Sequence, residues 1–173
     1  MTSSFEDRTE SKLRFAELHL KEIIDSDSRG SGDDFEISHE ESCLFHIIGA
    51  KDSFLQEIND FHNLGIDIGD VKEKTIKKYL KKKSLKCKAF DKLKTLRDNP
   101  KSWYYIVINY RNVGTHRYRI PRVFKQVING PRTVSYKNPP VAKSSPLNQD
   151  IPDYLEKSIK KMRKLLQKLR PLI

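Results

Sequence analysis

The chain has 173 residues, 36% hydrophobic and 33% charged, a length that suits one helical domain with a real core and leaves too little for two. No apolar run approaches the ~20 residues of a membrane span, and Met1-Thr2-Ser3-Ser4-Phe5-Glu6-Asp7 has neither the basic nor the apolar stretch of a signal peptide, so a cytoplasmic protein without membrane contact is expected. The formal net charge of +11 is unevenly spread, with 6 Lys/Arg against 17 Asp/Glu in residues 1–70 and 28 against 6 in residues 71–173, which makes the second part the expected polyanion-binding side.

In chain order, the spacing predicts a first helix from Ser4 to about Asp25, with Phe5, Leu13, Ala16, Leu20 and Ile23 or Ile24 as its apolar stripe. Asp25 to Asp34 has the composition of a loop. A second helix is expected from Ser38, where Ser38-x-x-Glu41 reads as a capping box, to about Leu64, on the row Leu44, Ile47, Ile48, Lys51, Leu55, Ile58 and His62, with Phe54 and Phe61 widening the face. Gly65 and Gly69 precede a short basic helix over 71–80, and another follows from Ser84 to Arg97. Asn99 and Pro100 suit a cap and first turn for a helix carrying Trp103, Ile106, Val107 and Tyr110. Shorter runs around Asn129-Gly130-Pro131 predict a β-hairpin or extended arm. After a Pro-rich linker, a last helix from about Asp150 carries Leu155, Ile159, Met162, Leu166 and Leu169, a stripe that could lie on its own bundle or on a second copy.

Chemistry concentrates in Tyr110-Arg111-Asn112-Val113-Gly114-Thr115-His116. An arginine fork binds phosphate oxygens, a histidine exchanges protons near neutrality, and an amide between them can bond either. Arg14 and His19 repeat the spacing, but five steps on a continuous helix set side chains ~140° apart, so that copy reads as structural. At the second copy Gly114 is placed to end the helix as a left-handed cap, letting the chain turn His116 back toward Arg111.

This segment resembles the HEPN family, all-α proteins marked by Arg, four to six residues, then His, commonly with Asn, Asp or His after the Arg; many are metal-independent endoribonucleases and others only bind RNA or nucleotides. The matching positions are Arg111, Asn112 and His116, and the helical setting extends the likeness to roughly residues 5–116. The resemblance implies an all-α, HEPN-like bundle over 1–116 ending in the motif, to which the residue pattern adds a hairpin or linker arm over 117–148 and a C-terminal helix over 149–173, together forming one domain. It further implies that Arg111 binds the scissile phosphate while His116 acts as base or acid for attack by the 2′-hydroxyl, giving a cyclic or 3′-phosphate and a 5′-hydroxyl without metal or cofactor. Members commonly dimerise so that two motifs share a site, so a homodimer is expected, in a toxin or phage-defence setting with a possible antitoxin partner.

Lys77, Lys78, Lys81 and Lys82, with Arg117 and Tyr118, are the expected RNA contacts. Trp103 and Tyr110 read as core, and Tyr104 and Tyr118 as candidates for base stacking. Glu40, Glu41 and Asp52 could orient the motif, though each is more commonly a solvated charge. His39, His46 and His62 lack a metal spacing, and Cys43 and Cys87 have no third cysteine, so no metal site is expected. Two other readings stay open. One is a non-catalytic RNA- or nucleic-acid-binding module, and the other an interaction protein that oligomerises through its terminal helix and opposite charges.

Overall fold

The acidic first part of the chain forms two long helices, α1 (Ser4–Arg29) and α2 (Asp33–Phe61), in a computed structural model that describes residues 4–29, 33–116, 120–126, 132–136 and 149–173. They run antiparallel. Thr9 near the start of α1 hydrogen-bonds Glu57 near the end of α2, whereas Ser26 reaches Glu36. Leu13, Ala16, Leu20 and Ile23 share a buried core with Leu44, Ile47, Ile48, Leu55 and Ile58, as the stripes predict; Ile24 and Phe61 are exposed.

Most of the expected loop from Asp25 to Asp34 is helix. Ser26 Oγ donates to the Ile23 carbonyl at 2.6 Å inside α1, and Asp33, Asp34 and Glu36 place negative charge at the positive end of α2. Ser38 therefore lies within α2, and its capping box with Glu41 does not start the helix.

A Schellman closure ends α2: Asn63 adopts φ 46°, its N–H donates to the Asp60 carbonyl at 3.0 Å, and Leu64 N–H donates to the Asn59 carbonyl at 2.9 Å. The buried Asn59 amide then holds Ile66 from both sides, donating to its carbonyl at 3.0 Å and accepting from its N–H at 3.1 Å. Gln56 donates to the Ile68 carbonyl at 2.8 Å. These amides seat the turn Ile68–Asp70 beside α2, and α3 (Glu73–Lys82) follows.

The next two helices begin later than the sequence suggests. Ser84, at φ 53°, closes α3 with a second Schellman pair, Ser84 N–H to Lys81 and Leu85 N–H to Leu80, so α4 (Lys88–Asp98) starts only at Lys88, where Cys87 Sγ accepts from Phe90 N–H. Asn99 makes a turn instead of a cap, its Oδ1 accepting from Lys101 N–H at 3.0 Å. Ser102 Oγ caps α5 (Trp103–His116) by accepting from Tyr105 N–H, also at 3.0 Å.

After α5, strands β1 (Arg122–Gln126) and β2 (Arg132–Tyr136) pair antiparallel with Arg122 opposite Tyr136, which is the expected hairpin. Asp150 Oδ1 accepts from Val134 N–H at 2.8 Å and ties β2 to the start of α6 (Ile151–Leu169). Leu155, Ile159, Met162, Leu166 and Leu169 are all buried, and α6 packs on α1 and α2 of its own chain. The terminal stripe is therefore occupied. Among the described residues, no helix is long and apolar enough to cross a membrane.

Candidate functional site

Helix α5 leads to the motif through Val107 and Tyr110, both fully buried. The Tyr110 ring lies 4.8 Å from Tyr136 of β2 and 5.7 Å from Tyr154 of α6, which fixes the register of α5 against both neighbours. One residue on, Arg111 leaves the core. Its guanidinium carbon lies 5.9 Å from the Phe45 ring centroid, and its Nη1 donates to Asn112 Oδ1 at 3.1 Å.

Arg111 and Asn112 line a cleft of about 760 Å³ between α1, α2, the turn after α2, α3 and α5. Seven cations line it, Arg8, Lys12, Lys51, Lys72, Lys74, Arg97 and Arg111, against two carboxylates, Asp52 and Glu73. Both carboxylates are engaged, Asp52 by Lys51 and Glu73 by Lys51 and Arg97. The lining thus keeps a positive surplus, which a polyanion can neutralise. Gln56, also on the lining and almost wholly buried, uses its amide nitrogen on Ile68, while its Oε1 has no hydrogen-bond partner among the described residues. A buried acceptor in that state suits a ligand donor or water.

The expected bend at Gly114 is absent. The helix continues to His116, and the positive-φ glycine among the described residues is Gly65, not Gly114. Gly114 instead marks a close approach of helices, since a Cβ there would stand 3.2 Å from Cγ of Glu41 on α2. Arg111 and His116 are thus ~140° apart around the axis of α5, with Asn112 one turn before His116 along the helix. The His116 side chain lies outside the described residues, as do Arg117 and Tyr118.

The predicted RNA-binding lysines are exposed but do not gather at Arg111. Lys77 and Lys81 line a separate, smaller groove with Lys86 and Lys94, and Lys82 lies 5.9 Å from the Tyr79 ring. Tyr104 is no stacking platform, because it is fully buried. Glu40 is no solvated charge either. Buried at 4% exposure, it accepts from Arg122 Nη2 at 2.8 Å and from Tyr136 Oη at 3.1 Å, stapling the hairpin to α2, and burial pushes its carboxyl up to about 7 despite the opposing arginine.

Sequence reading missed Arg8, Lys12, Lys51, Lys72, Lys74 and Arg97. One signal was available. Lys51 is the one Lys or Arg in α2 and falls on its buried row, where a cation must find anionic partners. The histidines do gather, although not as a metal site. His19 and His39 share a hydrogen bond between their Nδ1 atoms at 2.9 Å, with His46 stacked on His19, and burial lowers the pKa of His19 and His46. Among the described residues no group of three or more His, Cys, Asp or Glu could hold a metal ion.

No family model, curated protein or solved structure matches this chain.

Proposed function

We propose that this chain is a HEPN-type endoribonuclease that grips the RNA backbone in the cleft lined by Arg111 and Asn112, cutting by 2′-hydroxyl attack. The observation that carries the proposal is the positive surplus of that cleft, with the motif arginine on its wall. Arg111 binds and neutralises the phosphate. Its hydrogen bond to Asn112 couples the two motif side chains at the cleft wall. His116 exchanges the proton, and a second copy of the motif in a homodimer serves the other end of the displacement. A toxin or defence role with a protein antitoxin belongs to the same proposal.

A specific observation favours a second reading, RNA binding without cleavage. The unbroken helix separates Arg111 and His116 by ~140° around its axis, which is poor geometry for both to meet one phosphate within a subunit. One experiment separates the two. Labelled RNA is incubated with protein in chelator, and products are resolved for wild type, Arg111→Ala and His116→Ala. The nuclease reading expects 5′-hydroxyl fragments from wild type, with cleavage lost in His116→Ala while binding stays within a few-fold. Retained binding with no cleavage by any form establishes the second reading, and no RNA binding by wild type removes both.

A further inference from the structure

The cleft does not end at Arg111. Its wall continues along the groove between α1 and α2 as a row of rings, Phe45, Phe15, His46 and His19, that the nuclease chemistry does not use. Phe45 and Phe15 stand 44% and 47% exposed, too open for core rings and too many for chance scatter on so short a stretch. Centroid separations are 5.5 Å from Phe45 to His46, 5.3 Å from His46 to Phe15 and 5.4 Å from His46 to His19, so the row is continuous. At the cleft end two cations flank one ring, Lys12 Nζ 5.7 Å and Arg111 Cζ 5.9 Å from the centroid of Phe45.

We infer that this row is a stacking track for the bases of an unpaired RNA strand whose phosphates are held in the cleft, Phe45 taking the first base and Phe15 with His46 the next. The inference rests on the RNA-binding part of the function proposed above and deepens it by naming the substrate class. Cations at one end and an unbroken row of rings beyond them match a strand whose phosphates enter the cleft while its unpaired bases lie along the row, and stacking tolerates any base because each has a π-face. A second protein copy is a poorer occupant. Covering Phe45 with apolar protein would also strip water from Lys12 and Arg111, whereas a nucleotide sets a phosphate beside both charges. Beyond His19 the rings continue to His39, 5.1 Å away, and then to Phe35, 4.4 Å further, but there Glu22 adds a negative charge beside His19 that a phosphate backbone avoids.

The test is fluorescence-anisotropy titration with three 2′-O-methyl oligonucleotides of equal length, which 2′-hydroxyl chemistry cannot cut: unpaired, annealed as a duplex, and abasic at the central positions. Wild type is expected to hold the unpaired strand about fivefold or more tighter than the abasic one for each ring engaged. Phe15→Ala, outside the cleft lining, should cut that margin by its own ring's share while leaving affinity for the abasic strand unchanged, and adding Phe45→Ala should erase the rest of the margin. Phe45→Tyr keeps the ring and should retain the margin, and Phe45→Leu keeps apolar bulk without a flat face and should lose it. Equal affinity of wild type for unpaired and abasic strands overturns the track and leaves the cleft reading intact. A fall in sedimentation mass on substituting the two phenylalanines overturns it in favour of a joint between copies. Failure of wild type to bind any of the three sinks the cleft reading and the track together.

Discussion

The arginines of the hairpin and of α6 and the basic side chains of the cleft carry the same charge, yet they meet carboxylates in different proportion. Arg122 meets Glu40, Arg163 meets Glu10 and Glu17, and Arg170 forms a two-point contact with Glu57, its Nε at 3.0 Å and Nη2 at 3.2 Å from the two carboxylate oxygens. Each joins the basic second part of the chain to the acidic first part. In the cleft, Lys51 and Arg97 share Glu73, and the cations of the lining outnumber its carboxylates seven to two. Gross charge asymmetry therefore misleads. The acidic half faces the basic half within one fold, and a binding surface is marked by cations in excess of their partners, not by a high count of lysines.

The contrast can be broken at its matched end first. Arg170→Ala leaves the carboxylate of Glu57 buried with Thr9 as its remaining partner, and should cost roughly 3 kcal/mol in urea unfolding. A loss within the range of an ordinary surface substitution would show that these pairs do not hold the halves together. Glu40 gives the next effect. Its carboxyl titrates near 7 when folded against 4.5 as the ordinary value, so the folded state binds the extra proton and this residue's contribution weakens as pH rises from about 4.5 to about 7, then stays level. Glu40→Gln is neutral throughout. The stability difference between variant and wild type should therefore grow over that window, by at most on the order of 3 kcal/mol, and a flat difference would refute the raised value. His19 and His46 act oppositely, since their lowered values cost stability as pH falls below 6.5, but they are common to both proteins and cancel.

At the cation-rich end, Arg8→Glu with Lys12→Glu should weaken single-stranded RNA binding roughly tenfold or more and flatten its salt dependence by about 1.4 in log–log slope. Lys77→Ala with Lys81→Ala, in the separate groove, should weaken binding by less than about threefold. Reversal of those two magnitudes would move the interface to α3. Smallest is Gly114→Ala. At a left-handed cap it would cost about 1 kcal/mol or more, whereas inside a helix alanine's propensity offsets the contact with Glu41, so a change within about 0.5 kcal/mol is expected by thermal unfolding.

Gly114 also shows where sequence reading stopped. A glycine after an apolar row looks the same whether it ends a helix or lets a second helix come close, and only the presence of Glu41 across the gap decides. The stripes of α2 and α6 were legible because burial repeats every three or four residues over many turns. Helix ends were less so. Ser26 and Asp33 have loop-like propensities that local hydrogen bonds and the helix dipole override, and Ser84 looks helical until its left-handed φ is seen. At the site, Arg111 could be found from its own neighbours in sequence. Arg8, Lys12 and Lys51 could not, because they reach the cleft through the pairing of α1 with α2, a contact that no local pattern encodes.

The long-range pairs of Arg163 and Arg170 also bear on how the molecule is made. Synthesis delivers the acidic helices well before α6, so Glu10, Glu17 and Glu57 meet Arg163 and Arg170 only once that helix has been made. Closure of the bundle therefore waits on α6: a chain without Arg163 and Arg170 has both long helices but not the cross-braces to Glu10, Glu17 and Glu57.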